Sequence, residues 1–393
     1  MKKISTLLLS LVFCTSAFSF DTMWMSRVVK KHTCIDALGA VVASQETCKS
    51  WSMREAAEPF VDKASDRIFV GGTDGFLHVV EPNKGRTIKR KTLTGNLVSG
   101  IVAHDTNLIF GTDRGLAMAL DVNSLEQKWA TELDSGILQT PVLVGDNLLF
   151  VTQLGTIYAI SVKTGEKVWT KKRELPNRIF FRHLSLPVFS PTTINGNLRD
   201  AYVVGHPNGK LEFVDVKDGE TLDAVQMGSL KEPWADVVTT PVVAEGLLFA
   251  ASYNSGIVAF DSSSRSRKWE LKEKGISQMV LSKGILVVAG TKFVMATDAI
   301  TGKVVWKFTY DKGSPGSILI RDNEVYVTSD TDGLYILDFM TGRPKQVLGS
   351  GSGFAGGVKN FDEHLLAMSS AGALFFFSRN DMVVSARKSA LKR

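Results

Sequence analysis

The side chains most able to do chemistry are scattered along this sequence of 393 residues. No serine, histidine and aspartate stand in a pattern typical of a hydrolase, and no glycine-rich loop is placed to hold a phosphate. The histidines form no spaced cluster; they are His32, His78, His104, His183, His206 and His364. We therefore predict no catalytic residue, no bound cofactor and no metal.

The first nineteen residues have the pattern of an export signal. Lys2 and Lys3 precede an apolar run, and small residues precede a cleavage point before Phe20. A lipoprotein signal acylated at Cys14 is the alternative, but Phe13 stands where such signals carry a small residue. The sequence leaves the lipidation of Cys14 open.

Cys34 and Cys48 remain after cleavage, within an N-terminal extension that spans residues 20–51. Export to an oxidising compartment and the even count favour a disulfide between them over two free thiols. Such a bond would close a loop of about 15 residues and stabilise the fold by about 3 kcal/mol. With no third cysteine and no histidine pair nearby, the two thiols do not indicate a zinc site.

These residues are set in a repeat of short apolar runs separated by Gly, Asn or Asp. The stretch 140–169 contains four such runs, which is typical of antiparallel hairpins. The residue that ends the third run recurs eight times, mostly at intervals near 40; its copies are Glu81, Asp121, Ser161, Asp215, Asp261, Asp298, Asp338 and Ser378. We predict an all-β, eight-bladed β-propeller with four-stranded antiparallel blades over residues 52–386.

Three features inside the repeat have structural explanations. Small residues two positions before the aligned residue, such as Ala119 and Ala259, would let neighbouring sheets approach closely. Glycines in turns such as Thr164-Gly165 supply positive φ. Four tryptophans close a copy and are expected to dock on the next blade; they are Trp129, Trp169, Trp269 and Trp306. Copies open at Thr140-Pro141, Thr240-Pro241 and Ser190-Pro191, and the repeat histidines are expected to be hydrogen-bonded structural residues.

Composition limits the classes of partner. Hydrophobic residues make up 44% and charged residues 22% of the chain, which carries 46 basic and 40 acidic residues. This mild excess of scattered positive charge does not indicate a nucleic-acid-binding protein.

A basic tail at residues 387–393 is expected to be solvated. Either the extension 20–51 or the run 382–386 is expected to supply the strand that closes the ring.

Two insertions interrupt the period and are the candidate functional surface. The interval between the third and fourth aligned residues has 14 extra residues, which we assign to residues 171–188. This segment mixes basic residues with apolar ones, including Phe181, Arg182, Leu184 and Leu186, and exposed apolar residues beside arginine are typical of partner surfaces. Burial against the ring is the alternative. A second insertion, near residues 227–238, contains Asp236.

The repeat resembles the quinoprotein-type propeller repeat, whose blades end in D-x-x-T-G-x-x-x-W; residues 298–306, DAITGKVVW, match it. Within that group the chain is similar to the BamB family of the outer-membrane β-barrel assembly machinery. The resemblance covers residues 64–378 and is most specific at residues 184–193 and 236–261. It implies a non-enzymatic scaffold that is periplasmic, associated with the outer membrane mainly through its partner, and bound to a BamA-like barrel-forming subunit and to unfolded outer-membrane proteins.

The resemblance also implies contact residues. Leu184, Ser185 and Leu186 match the family's L-S-L motif, but Pro187 replaces the arginine that follows it. Asp236 matches the first aspartate of a D-V-D motif, whereas Val238 replaces the second. We predict a contact through Leu184, Leu186 and Asp236, supported by Phe181 and Arg182.

Two other functions remain as alternatives. The first is an exported propeller that binds a different envelope partner, which the repeats alone do not distinguish. The second is a quinone-dependent dehydrogenase of the same fold class, which would need bound Ca²⁺ and a carboxylate base. Such enzymes are longer chains and carry a pair of adjacent cysteines that this sequence lacks. The enzyme is therefore the less favoured interpretation.

Overall fold

The computed structural model describes residues 18–27, 57–173, 184–194, 196–227, 237, 239–310 and 312–381. Every regular element in these segments is a β-strand, and the strands form eight four-stranded antiparallel sheets and one two-stranded hairpin. The eight sheets are the blades of an eight-bladed β-propeller, as the repeat predicted. The predicted disulfide of Cys34 with Cys48 lies outside the described residues.

The strands follow the period of the sequence. The first described strand is β1 (Phe18–Arg27). The first two blades are β2 (Phe60–Asp62), β3 (Arg67–Val70), β4 (Phe76–Val80), β5 (Thr87–Thr92) and β6 (Val102–His104), β7 (Asn107–Gly111), β8 (Leu116–Asp121), β9 (Gln127–Glu132). The next two are β10 (Val142–Val144), β11 (Asn147–Val151), β12 (Ile157–Ser161), β13 (Lys167–Lys171) and β14 (Val188–Phe189), β15 (Thr192–Ile194), β16 (Asn197–Arg199), β17 (Ala201–Gly205), β18 (Lys210–Asp215), β19 (Thr221–Gln226).

The remaining blades repeat this order. The fifth and sixth are β20 (Val242–Ala244), β21 (Leu247–Ser252), β22 (Gly256–Asp261), β23 (Arg267–Leu271) and β24 (Ile276–Ser282), β25 (Ile285–Gly290), β26 (Phe293–Asp298), β27 (Val304–Thr309). The last two are β28 (Pro315–Arg321), β29 (Glu324–Ser329), β30 (Gly333–Asp338), β31 (Pro344–Gly349) and β32 (Val358–Phe361), β33 (His364–Met368), β34 (Ala373–Asp381) with β1.

The ring is closed by the N-terminal strand. β1 pairs antiparallel with β34, from Phe18 opposite Asp381 to Arg27 opposite Ala373, and is the outer strand of the eighth blade. Pairing the two ends of the chain removes an exposed sheet edge at the join. Of the two closures that the sequence left open, the structure therefore has the N-terminal one, and the extension 20–51 contributes a strand to the propeller.

Apolar residues fill the eight seams between neighbouring blades, with one hydrophobic cluster at each seam. Alternate residues of a strand serve opposite seams: Phe69 packs towards the second blade, whereas Ile68 and Val70 pack towards the eighth. Because strand side chains alternate in direction, each blade buries both of its faces only when it has two neighbours. This dependence requires the blades to form a closed ring.

Tryptophans fasten four of these seams, as the sequence predicted. The indole N–H of Trp269 donates to the carbonyl of Ala299 on the next blade at 2.9 Å, and Gly302 of the same turn lies against the indole ring. Trp129, Trp169 and Trp306 repeat this contact with Gly165, Gly219 and Gly342. In the D-x-x-T-G-x-x-x-W signature, the glycine therefore contacts the tryptophan of the preceding blade, and the tryptophan contacts the glycine of the following blade.

The structure corrects two interpretations of the fourth blade. The third blade shows the usual spacing of the first two strands, with Val142 paired with Leu149, whereas in the fourth blade Val188 pairs with Val203. The separation is 7 residues in the third blade and 15 in the fourth, so eight of the surplus residues form the β15–β16 hairpin and not the connection before β14. Ser190-Pro191 follows β14 and does not open the copy.

Candidate partner-binding surface

Two long connections leave the ring on one face, next to the loop between β17 and β18. The second connection runs from the fourth to the fifth blade and is fixed to this loop at both ends. The backbone N–H of Met227 donates to the carbonyl of Gly209 at 2.9 Å, and that of Val237 donates to the carbonyl of His206 at 3.0 Å. The end of the second insertion therefore has a defined place on the fourth blade.

Gly205, the last residue of β17, holds both ends of the first connection. Arg173 donates from Nη1 to the carbonyl of Gly205 at 3.0 Å and from Nε to the carbonyl of Gly155 at 2.7 Å. The backbone N–H of Gly205 donates to Ser185 Oγ at 2.9 Å. A Cβ atom at position 205 would clash with the carbonyl oxygen of Val237. Three ends of the two insertions therefore meet at a residue that must be glycine.

Arg173 is an internal anchor and not a contact for a partner. Its side chain is only 5% exposed, although it begins a segment that the sequence marks as basic. Burial lowers the pKa of Arg173 to about 10, while the nearby charge of Glu212 acts in the opposite direction. The guanidinium remains charged at neutral pH, and its bonds to two carbonyls offset part of the cost of burying it.

A compact ionic cluster supports the same region from the outer side of the fourth blade. Glu212 on β18 lies 3.1 Å from Lys171 Nζ and 2.6 Å from His206 Nε2, and it accepts a hydrogen bond from the hydroxyl of Thr221. Burial alone would raise the pKa of Glu212, but the hydrogen bonds and charges of these partners outweigh it and hold the pKa at about 2. The cluster joins β13 of the third blade to β18 and β19 of the fourth.

The histidines within the repeat have the structural role that the sequence predicted. His78 is 1% exposed and its Nε2 lies 3.0 Å from Asp74 Oδ2. His206 pairs with Glu212 as described above. Each ring is held by a carboxylate of its own blade, which fixes its orientation.

Leu184 is not the exposed anchor that the sequence predicted. It is 7% exposed and packs with Trp169 and Tyr202 in the core between the third and fourth blades. Leu186 is half-buried against the same cluster, and its backbone N–H donates to Thr240 Oγ1 at 3.3 Å. The L-S-L motif therefore seats the end of the first insertion on the ring, because both leucines find apolar neighbours there.

Other predicted contact residues lie outside the described part of the chain. They are Phe181, Arg182 and Asp236. The described residues that flank them, Arg173 and Leu184 on one insertion and Met227 and Val237 on the other, are fixed by the contacts given above. The assignment of these three side chains to a partner contact consequently stays a prediction.

An exposed apolar side chain beside the first insertion was not predicted from the sequence. Leu154 lies in the loop between β11 and β12 and is 55% exposed, and its neighbour Gly155 accepts the hydrogen bond from Arg173. Lys172, next to that arginine, is also exposed. Leu154 has no distinctive sequence signal, because a single leucine in a hairpin turn resembles any other position of the repeat.

The described residues contain no group of three or more histidine, cysteine, aspartate or glutamate side chains arranged to hold a metal ion. In the same segments, no helix has the length and apolar character of a membrane span.

Comparisons with known proteins agree with this architecture. The family model described as "Outer membrane protein assembly factor BamB" matches residues 73–307 and 279–351. A protein of that name from Burkholderia pseudomallei is 26% identical over 62% of this chain, and the match spans 63% of that protein, a little under two thirds of its length. One from Yersinia pestis is 22% identical over 79% of this chain and 82% of its own.

A solved structure shows the same fold. The crystal structure of BamB from Moraxella catarrhalis superposes with a TM-score of 0.69 at 18% identity, and the match covers 82% of this chain and 96% of that one.

Proposed function

This chain belongs to the family of outer membrane protein assembly factor BamB, and from that premise we propose that it is a non-enzymatic scaffold for the assembly and insertion of outer-membrane β-barrel proteins. In this proposal it acts in the periplasm at the outer membrane. Its partner is the BamA-like barrel-forming subunit, which it binds through the connections on one face of the ring. Unfolded outer-membrane proteins are a second class of ligand for the same face.

The convergence of both insertions on Gly205 carries this proposal. Two connections that exceed the period emerge side by side, and each is tied to the ring by hydrogen bonds at its ends. Fixing the ends of a loop lowers the entropy lost when a partner orders it. A scaffold needs a surface of this kind, which is held in place by a rigid ring and differs from the other blades.

We assign the contact to residues of this face that are exposed or lie on the insertions. Leu154 supplies an exposed apolar side chain and Lys172 an exposed cation, and their neighbours Gly155 and Arg173 are joined by a hydrogen bond. Asp236, Phe181 and Arg182 complete the surface from the two insertions. Apolar side chains supply the desolvation and the charged groups select the partner. Leu184 and Leu186 act by positioning the first insertion.

Binding of the purified chain to the periplasmic domains of the BamA-like subunit tests the proposal. Leu154→Ser and Asp236→Lys should each weaken the complex by about tenfold or more, as expected when an interface hot spot is removed. Leu198→Ser is the matched control, because Leu198 is 72% exposed on the β15–β16 hairpin at the opposite face of the ring. The control should bind like the wild type.

Equal binding by Leu154→Ser, Asp236→Lys and the control would contradict the assigned surface. Failure of the wild-type chain to bind the BamA-like domains would contradict the partner and favour a different envelope protein. Calcium-dependent alcohol oxidation by the purified chain with an added quinone cofactor would contradict the non-enzymatic assignment.

A further inference from the structure

The outer edge of the first blade carries a concentration of positive charge. The turn before β5 and β5 itself contain five basic residues, and residues 82–95 include no aspartate or glutamate; the basic residues are Lys84, Arg86, Lys89, Arg90 and Lys91. Four of them are exposed and Lys91 is half-buried. The whole chain is nearly balanced in charge, so this strand departs from the rest of the surface.

Most basic residues described on the outer strands of other blades are paired with carboxylates. Lys128 on β9 lies 3.5 Å from Asp121, and Lys268 on β23 lies 3.1 Å from Asp261. Lys307 on β27 lies 2.9 Å from Glu273. Most lysines on the described outer strands of the other blades therefore belong to an ion pair; the exception is Lys167 on β13, whose Nζ lies 5.1 Å from the centroid of the Tyr158 ring.

The first blade departs from this pattern at several positions. Arg86 reaches Glu81 at 3.6 Å, and Lys89 donates to the carbonyl of Ser124 on the next blade at 2.8 Å. Within the described segments, Lys84, Arg90 and Lys91 form no ion pair with a carboxylate. Three cations are consequently left without a counter-charge from the described part of the fold.

Protection of a sheet edge explains only part of this pattern. Lysine on an edge strand opposes pairing with the edge of another sheet. That role requires positive charge at the edge but not the loss of the acidic partners that the other blades keep. Ile88, which is 48% exposed, also lies among the cations, and an apolar residue there does not protect the edge.

We propose that the outer edge of the first blade, Lys84 to Lys91, is a docking site for the phosphate headgroups of an anionic phospholipid bilayer. Uncompensated cations are attracted to such a surface by about 1 kcal/mol each. The exposed Ile88 side chain enters the boundary between headgroups and acyl chains, as apolar residues do in interfacial segments. This contact places the ring edge-on to a membrane and is separate from the face that carries the two insertions.

Co-sedimentation of the full chain with lipid vesicles tests this proposal. The wild type should bind vesicles of equal parts phosphatidylcholine and phosphatidylglycerol at low salt and should be released at high salt. It should not bind vesicles of phosphatidylcholine alone. Removing three charges with Lys84→Gln, Arg90→Gln and Lys91→Gln should lower the partition coefficient about a hundredfold.

The matched control removes three charges from paired lysines of other outer strands, with Lys128→Gln, Lys268→Gln and Lys307→Gln. It has the same net charge as the test variant and should bind anionic vesicles like the wild type. If the triple variant has a lower melting temperature than the wild type, the single variant Arg90→Gln should still lower the partition coefficient about fivefold.

Three results would overturn the proposal: no binding of the wild type to anionic vesicles, binding that resists salt, or an equal loss in the control. The first result would leave an acidic protein as the occupant. Binding of the test variant to the BamA-like domains should be unchanged, so a failure of this inference is distinguishable from a failure of the proposed function.

Discussion

Asp223 and Arg265 meet across the seam between the fourth and fifth blades, at the position where four other seams pack a tryptophan against a glycine. Arg265 Nη1 lies 3.0 Å from Asp223 Oδ2, and the guanidinium stacks on Phe213 with 4.8 Å to the ring centroid. Asp223 lies opposite Phe213 just as Trp129 lies opposite Ala119. Arg265 occupies the glycine position of the turn with a φ of 59°. At this seam, therefore, aspartate replaces the tryptophan and arginine replaces the glycine of the usual contact.

Restoring the usual pair tests this exchange. Asp223→Trp alone should destabilise the fold, because the indole meets Arg265 where the four tryptophan seams have glycine. Adding Arg265→Gly should recover stability, since it opens space and removes a side chain from a positive-φ position. We expect a coupling free energy of more than about 1 kcal/mol between the two changes. Thermal or denaturant unfolding of both single variants and the double variant gives this value, and additive effects would contradict the exchange.

The tryptophan seams depend on the absence of a side chain at the facing glycine. A Cβ atom at Gly302, where φ is 70°, would lie 2.6 Å from Trp269 Cδ2. Gly302→Ala should cost about 1–3 kcal/mol through overpacking, in addition to about 1–2 kcal/mol for the left-handed backbone. Gly284→Ala is the control, because Gly284 has a φ of 72° and open space around its Cα. Equal unfolding free energies for the two variants would show that the indole contact contributes nothing.

The charge of Glu212 should make stability depend on pH in the acidic range. The folded state holds the pKa of Glu212 at about 2, below the ordinary value of 4.5. Stability from this carboxylate is therefore fully present above pH 4.5 and is lost as the pH falls towards 2. Its size is on the order of 2–3 kcal/mol. Unfolding free energies measured between neutral and acidic pH should fall less steeply for Glu212→Gln than for the wild type.

The exposed Glu220 supplies the comparison for that experiment. Glu220→Gln should keep the slope of the wild type between neutral and acidic pH. A Glu212→Gln variant with the same slope would show that the ionic cluster on the fourth blade does not stabilise the fold.

Arg173 should matter for both the fold and the partner. Arg173→Met removes two hydrogen bonds to carbonyls at the base of the first insertion, and it should destabilise the fold by about 2–4 kcal/mol because the acceptors stay buried. Exposed Lys172 is the neighbouring control, and Lys172→Met should leave the unfolding free energy unchanged within about 0.5 kcal/mol. Loss of binding by Arg173→Met at a temperature where it stays folded would show that the insertion must be anchored. Wild-type stability in Arg173→Met would contradict the anchor.

The repeat made the propeller predictable from the sequence. Turn chemistry and side-chain alternation are local properties, so eight aligned residues sufficed to locate the third strand of every blade. Asp298 shows why: its Oδ1 accepts the backbone N–H of Thr301 at 2.8 Å, a contact made within one turn. The tryptophans were predicted as docking residues for a similar reason, since a large apolar ring that recurs at the end of a copy is best buried against the neighbouring blade.

The candidate surface was only partly predictable. The excess length of two intervals located the insertions, but it gave no information on how the excess was divided, and a hairpin within the fourth blade accounts for most of the first one. Leu184 was interpreted as exposed because it lies beside basic residues. Its burial depends on Trp169 and Tyr202, which other strands bring to it.

Sequence alone determined the number of blades, the end of the third strand in each blade and the two intervals that exceed the period, because each depends on residues close together in the chain. Tertiary structure decided which end of the chain closes the ring, which leucines are buried and which cations lack a carboxylate. Those outcomes depend on residues far apart in the sequence, such as Ala373 opposite Arg27 or the fourth-blade carbonyl of Gly205 that Arg173 reaches. The spacing of residues along one repeat contains no information about such neighbours.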